Sequence, residues 1–365
     1  MAGTRVPLND LSRVLTEQSK DIASIVADVV ASGWLVHGPQ HAAFERELAA
    51  YVGASQGIGV ASGTDALELS FRALRAPGRN VVVTAANAGA YTSVAARLAG
   101  FEVRYADVDA ETHLLDPGAV EPLLDEGVAA VVVTHLYGRA ADVPELVHLC
   151  APFGVPVVED CAQAIGATPD WGRAGSAGRL AAFSFYPTKN LGALGDGGAI
   201  VTSDPELAER LRHLRQYGWT GKYTIAVDGG RNSRLDELQA AILRFRLPLV
   251  DGWNARRREI ITRYEDAAGA RVSVLEARGP YHAAHLAVAV TDDAAELARH
   301  LADRGVGTGV HYPIPDHRQP AFAADYGSTV LPVTEGLVGR IISLPCFPEL
   351  TDTEVEQVCD GLAQY

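Results

Sequence analysis

The chain has 365 residues, enough for one large α/β domain with a smaller companion, and its 48% hydrophobic content suits a globular protein with a sizeable core. A formal charge of −14 argues against general affinity for nucleic acid or an anionic membrane, because both need a basic surface. It leaves room for a local basic pocket that takes a phosphorylated small molecule.

From the N-terminus, "MAGTRVPLNDLSR" lacks the apolar stretch of a signal peptide, and no run reaches the roughly 18 apolar residues that span a membrane. "GIGVAS" (57–62) predicts a strand, followed by a helix in which Ala66, Leu69, Ala73 and Leu74 recur at helical spacing. "NVVVTAAN" (80–87) is a second strand, leading to a helix through "YTSVAARLAG". Further strands are expected in "FEVRYADVD" (101–109), "VAAVVVTHLYG" (128–138), "VPVVEDCAQ" (155–163) and "LAAFSFYP" (180–187). Helices lie between them, such as "DVPELVHLCAPFG", closed by a glycine after its last apolar position. Apolar strands alternating with helices predict a mainly parallel central sheet with helices on both faces.

A long helical region spans 235–268, and the texture then changes. "HLAVAV" (285–290), a helix in "DDAAELARHLADRG", and "VGTGVHYP" predict a smaller β-α-β unit, closed by a helix in "TDTEVEQVCDGLAQY". The boundary falls inside the helical region, giving a large domain over 1–253 and a small C-terminal α/β domain over 254–365. Cys150, Cys161, Cys346 and Cys359 have neither metal-ligand spacing nor the density of a disulfide framework. Reduced thiols, no metal and a cytoplasmic location are expected.

Three polar clusters fall where parallel strands end, the edge at which such sheets place ligands. In "SGTDAL", Ser62, Gly63 and Thr64 close a strand and open a helix. Glycine allows close backbone approach and the helix start offers free N–H groups to a phosphate, although a simple N-cap explains the same residues. In "VVEDCAQAIGA", Asp160 follows an apolar run, where a carboxylate is costly unless paired. A pyridinium nitrogen would pair it, as would a buried arginine or a helix cap, and Gln163 lies three residues on. In "FSFYPTKNLGALGDGGAIVT", Lys189 stands between an aromatic strand and a turn with Gly192, Gly195, Gly197 and Gly198, where Asp196 is the only charge. Burial there lowers an ammonium pKa and makes the amine a nucleophile; anion binding and snorkelling are the alternatives.

Phosphate cradle, strand-end aspartate and lysine occur in that order, with Lys189 29 residues after Asp160 and Ser184 five residues before the lysine. Together they describe a site for pyridoxal 5′-phosphate, with the lysine on its aldehyde, the aspartate on its ring nitrogen and the helix start on its phosphate. A dinucleotide site is rejected, because "GALGDGG" is not G-x-G-x-x-G and follows the lysine instead of opening the first βαβ unit.

These motifs, with "GWLVHGPQHAAFERELAAYVGA" (33–54), "HLYG" (135–138), "RNSRLDELQAAI" (231–242), "GVHYPIPDHRQPAF" (309–322) and "IISLPCFPEL" (341–350), resemble the DegT/StrS-type sugar aminotransferases over nearly the whole chain. These are fold-type I enzymes that use pyridoxal phosphate. The resemblance implies that Lys189 is the Schiff-base lysine and proton shuttle, that Asp160 pairs with the pyridinium nitrogen, and that Gln163 contacts the ring or its 3′-oxygen. It assigns phosphate binding to Gly63, Thr64 and Ser184, joined by Asn232 from a partner subunit, and so implies a homodimer with shared active sites. The implied reaction moves an amino group from an amino acid, glutamate or glutamine, to a keto group of a nucleotide-activated deoxysugar. A keto-cyclitol substrate and a cofactor-binding regulator without catalysis are the alternatives.

The chain departs from the family pattern at Gly89, where relatives carry an aromatic stacked on the cofactor ring. Either Tyr91 covers the ring or that face is open. His135, at a strand end, is a pocket candidate or a structural histidine. His285, His311 and His317 are candidates for the substrate entrance, with "HYP" alternatively only shaping a turn. Lys222 and Arg231, in a glycine-rich loop beside Asn232, are candidates for a substrate diphosphate. "ARRRE" (255–259) is expected on a solvated helix face, and Cys161 as small packing.

Overall fold

Seven short runs rich in valine, alanine and isoleucine align in one sheet: β1 (Gln56–Val60), β2 (Val81–Ala85), β3 (Glu102–Ala106), β4 (Val128–Thr134), β5 (Val157–Asp160), β6 (Leu180–Ser184) and β7 (Gly198–Thr202). The structure is a computed structural model that describes residues 5–365, so residues 1–4 of the stretch read above for a leader lie outside it. The strand order is β1-β7-β6-β5-β4-β2-β3. β7 runs antiparallel to β1 and β6, and the remaining neighbours are parallel.

Every residue of β2, β4 and β7 is buried, as a sheet covered on both faces requires. In β4, Val132 packs into a cluster with Leu69 and Phe71 of the helix Gly63–Ala73. Val131 and Val133 point the other way, into a cluster with Leu146 of the helix Val143–Cys150. Register sets the functional edge. Asp160 pairs with Thr134 on one side and Ala182 on the other, and Gly198 pairs with Val60 and Ser184. The carboxyl ends of β1, β4, β5 and β6 therefore lie side by side.

Two local expectations are corrected. The glycine turn after Lys189 runs directly into β7, which was not anticipated as a strand. Gly198 sits so close to the Ser62 carbonyl that a Cβ would collide with it, and the missing side chain allows β7 between β1 and β6. "HLYG" does not continue β4: the strand ends at Thr134, and Leu136–Gly138 forms a short 3₁₀ turn with Tyr137 at φ +62°. The cause is inward burial of His135. Its Nε2–H donates to Glu159 at 2.9 Å, and its Nδ1 accepts from the Ala141 N–H at 3.0 Å.

The smaller unit carries β10 (Ser273–Val274), β11 (Ala287–Val290) and β12 (Ile341–Leu344), all antiparallel, after a short exposed hairpin of β8 (Trp219–Gly221) and β9 (Thr224–Ile225). The expected β-α-β unit is corrected here. "VGTGVHYP" makes only isolated bridges, Val306 with Val6 and Gly309 with Ser343, and β11 pairs with β12 instead. Two glycines in that segment, Gly307 and Gly309, weaken it as a strand. The helix Val250–Ala267 spans both cores, with Val250 in the large one and Ile260, Ile261 and Tyr264 in the small one, which Val6 also joins. Among the described residues, no helix is long and apolar enough to cross a membrane.

Gly198→Ala is expected to destabilise the fold by about 1–3 kcal/mol, as overpacking against fixed backbone does. Gly252→Ala, at a helical position with open space around it, should raise stability by about 0.5–1 kcal/mol. Urea unfolding of both variants checks the contrast; equal shifts would contradict the crowding at Gly198.

Candidate active site

A cavity of about 520 Å³ opens at the edge where β1, β4, β5 and β6 end. At the β1 end, Ser62 caps the helix Gly63–Ala73 by accepting from the Asp65 N–H at 3.1 Å. Gly63 and Thr64 form the first turn, where N–H groups have no intrahelical acceptor and the helix dipole favours an anion. A Cβ on Gly63 would lie 2.6 Å from the Ser184 Cβ, so this glycine lets the helix start meet the end of β6. The cavity is thus walled by a ready anion cradle of Gly63, Thr64 and Ser184.

Asp160 ends β5 and is 5% exposed. Burial pushes its carboxyl pKa up, opposed by the Ala162 N–H bonded to it at 3.1 Å and by the nearby charge of Lys189. Lys189 follows the β6 end in a turn closed by its own N–H on the Tyr186 carbonyl at 2.8 Å. The residue is half-buried, and desolvation of its amine lowers the pKa to about 8, with Asp160 pulling the other way. An amine titrating near neutrality beside a buried carboxylate and an anion cradle suits a phosphorylated aldehyde with a basic ring nitrogen. That is the chemistry of pyridoxal phosphate, and the residues present fit it.

Gln163 lines the same cavity with both ends of its amide engaged. Its oxygen accepts from the Tyr137 N–H at 2.6 Å, and its nitrogen donates to the Tyr312 hydroxyl at 3.1 Å. Tyr312 resolves the departure at Gly89. A Cβ at Gly89, which has φ +80°, would lie 2.8 Å from the Tyr312 ring. An aromatic from the distant "HYP" segment occupies the space beside Gly89. Tyr91 lines the cavity mouth edge-on to Tyr312, with ring centroids 6.0 Å apart, and is 51% exposed. The sequence signal for Tyr312 was the glycine itself, since a positive-φ glycine beneath a missing aromatic implies that another group fills the gap.

The other candidates divide. His285 and His311 line the cavity; His285 Nδ1 meets the Asn190 Oδ1 at 2.8 Å and His311 Nδ1 meets the Ser343 hydroxyl at 2.8 Å. His135 does not, since both of its nitrogens are spent on Glu159 and Ala141. Glu159 also accepts from the Gly175, Ala177 and Gly178 N–H groups, so the His135–Glu159–Cys161 cluster has no free carboxylate oxygen for an ion. His317 lies elsewhere too, fully buried with its Nε2 on Glu335 at 2.9 Å. Arg231 is ion-paired with Asp65 and Glu68, which fixes the helix start and takes up its charge. Lys222 is exposed on the hairpin above the Tyr223 ring, and Asn232 is exposed outside this cavity. Thr134 was missed; its hydroxyl reaches Asp160 at 3.4 Å.

Comparison with known proteins agrees with this geometry. The protein "Erythromycin biosynthesis sensory transduction protein EryC1" of Saccharopolyspora erythraea is 43% identical over 97% of this chain and 97% of its own. A dTDP-3-amino-3,4,6-trideoxy-alpha-D-glucose transaminase of Streptomyces venezuelae is 41% identical over 99% of this chain and 96% of its own. The crystal structure of S. venezuelae DesV in complex with a ketimine intermediate superposes with a TM-score of 0.94 at 38% identity, covering 99% of this chain and 98% of that one. Residues 16–363 match the DegT/DnrJ/EryC1/StrS aminotransferase family. With a fold-type I sheet and a cavity suited to pyridoxal phosphate at its strand ends, the chain belongs to that family of pyridoxal phosphate-dependent aminotransferases.

Proposed function

We propose that this protein is a cytosolic homodimer that transfers an amino group from glutamate or glutamine to the 3-keto group of a dTDP- or UDP-activated deoxysugar. One observation carries the reading: Lys189 and Asp160 line the same cavity as the helix start at Ser62–Thr64. The names of relatives supply the sugar and the carbon, since several are transaminases of 3-amino sugar nucleotides. Incubation with 3-keto sugar nucleotides, keto-cyclitols and each amino donor, read by mass spectrometry, tests it. Amination of cyclitols alone would replace the substrate class. A regulator reading has support in the names of two relatives, a sensory transduction protein and a pleiotropic regulatory protein, and cofactor turnover with an amino donor would exclude it.

Pyridoxal phosphate, when bound, supplies an electron sink for the carbanion left as the donor loses its Cα proton. The protein's own groups do the rest. The Gly63 and Thr64 N–H groups and the Ser184 hydroxyl hold the phosphate, and Asp160 keeps the ring nitrogen protonated. Lys189 would bind the cofactor's aldehyde and, when its amine is free, would carry the proton taken from the donor Cα. A pKa near 8 suits that shuttle, because an appreciable fraction of the amine is free at neutral pH. Gln163 and Tyr312 are hydrogen-bonded to each other in the cavity wall, where they would flank the ring and limit water. We place Asn232 on the partner's phosphate, a role its exposure outside its own cavity allows.

Borohydride reduction should fix the cofactor to Lys189, and peptide mapping to another lysine would remove the assignment. In the cofactor-free protein, amine labelling of Lys189 should titrate near pH 8 and fall in Asp160→Asn, because the carboxylate raises the lysine pKa. The sign for stability follows. Between about pH 8 and the ordinary lysine value of 10.5 the unfolded chain holds a proton that the folded chain has lost. Stability relative to Lys189→Met should therefore rise with pH across that window. A flat difference would contradict the burial of the amine.

Mixing Lys189→Ala and Asn232→Ala subunits tests the shared site. If Asn232 acts across the interface, the heterodimer has one intact site that turns over at about the wild-type rate per site. If it acts within its own subunit, heterodimer activity cannot exceed half that of the Asn232→Ala homodimer.

A further inference from the structure

Behind the turn that carries Lys189 lies a second, much smaller cavity of about 40 Å³, bordered by Lys189, Gly192, Arg246, Arg257, Glu349 and Asp10. Arg246 and Arg257 are each 5% exposed. Each spends its hydrogen bonds on neutral oxygens. Arg246 donates to the Gly192 carbonyl at 2.6 Å and to the Gln18 side chain at 2.9 Å. Arg257 donates to the Cys346 carbonyl at 2.5 Å and to the His285 carbonyl at 3.3 Å. Among the described residues, one buried nitrogen on each, Nη2 of Arg246 and Nε of Arg257, has no partner, and neither guanidinium forms an ion pair.

A guanidinium does not shed its proton inside a protein, so two buried positive charges and two idle donors call for a counter-charge at this spot. Asp10 does not supply it, because its carboxylate is taken by the Ser12 N–H, the Ser12 hydroxyl and Arg13. Glu349 borders the cavity and its charge acts on both arginines from a distance, yet it is within ion-pair reach of neither, and burial opposes its ionisation. The volume admits a water or a monatomic ion and excludes a sugar nucleotide.

We propose that this cavity binds a small monovalent anion of the halide class between Arg246 and Arg257. The anion would tie together three parts of the chain. Arg246 holds the glycine turn after Lys189, Arg257 holds backbone beside β11 and β12, and the N-terminal stretch around Asp10 closes the cavity. Its effect falls on the stability of the Lys189 turn, and the site stands independently of the amino-acceptor reading.

The test uses the full-length protein at constant ionic strength, with potassium gluconate replaced stepwise by potassium chloride or bromide. A ligand that binds only the folded state raises the melting temperature with the logarithm of its concentration once that exceeds Kd. Chloride and bromide should do so, and Arg246→Gln should abolish the rise. Glu349→Gln removes a neighbouring negative charge and should tighten the anion by about tenfold. Anomalous diffraction from bromide-soaked crystals should place one ion between the two guanidiniums, a readout that holds even if Arg246→Gln fails to fold. A melting temperature unmoved by halide at constant ionic strength, a rise that survives Arg246→Gln, weaker or unchanged anion binding in Glu349→Gln, or a water or the Glu349 carboxylate in the bromide position would each overturn the proposal.

Discussion

The site depends on two charges that the fold makes expensive to bury and then places within each other's field. Asp160 caps the carboxyl end of a central strand, where burial drives it toward the neutral form; Lys189 is driven toward its neutral form by the same dryness. Each opposes the shift of the other, so the pair is tuned by position and not by exposure. The rest of the seven-stranded sheet serves that position. Register puts Thr134 beside Asp160, and the close approach of Gly63 to Ser184 brings an anion cradle to the same edge. A single extra methyl at Gly63 would push the cradle away from the strand end.

This dependence explains what was legible in the sequence. Local signals survived: the strand pattern through β1 to β6, the aspartate at a strand end, and the lysine after an aromatic strand all follow from what short apolar runs and costly charges must do. The site lysine and aspartate needed no tertiary information. β7 was missed because its glycines read as a turn, and their meaning lay in two neighbouring strands 135 or more residues away along one side and adjacent on the other. His135 sat at a strand end like Asp160, and only the three N–H groups gathered around Glu159 from residues 175–178 decided that it turns inward. Sequence position gave both residues the same address, and the hydrogen-bond partners separated them.

Tyr312 lies beyond any local reading for the same reason. A glycine at 89 leaves a gap whose shape is visible in sequence only as an absence, and the group that fills it is more than two hundred residues distant. Its delivery is nonetheless well specified. The backbone N–H of Asp316 bonds the Ala86 carbonyl at 2.8 Å, while its carboxylate accepts from the Ala90 N–H at 2.8 Å and the Ser93 hydroxyl at 2.6 Å. Asp316 is 1% exposed, and burial raises its pKa to about 6 against those bonds. One buried carboxylate thus pins the "HYP" segment to the loop that lacks an aromatic.

The smaller unit is therefore part of the cavity wall. Tyr312, His311 and His285 all come from it, and Tyr137 binds it back by donating its hydroxyl to the His311 carbonyl at 3.0 Å. The Gln163–Tyr312 and Tyr137–His311 bonds each join a segment after residue 280 to one before residue 165 through a polar group that is at least partly buried. Removing one partner of such a bond leaves the other unsatisfied, at a cost of about 1–3 kcal/mol. The geometry around Lys189 is held from both sides, by strand register in the large sheet and by these cross-links from the small one.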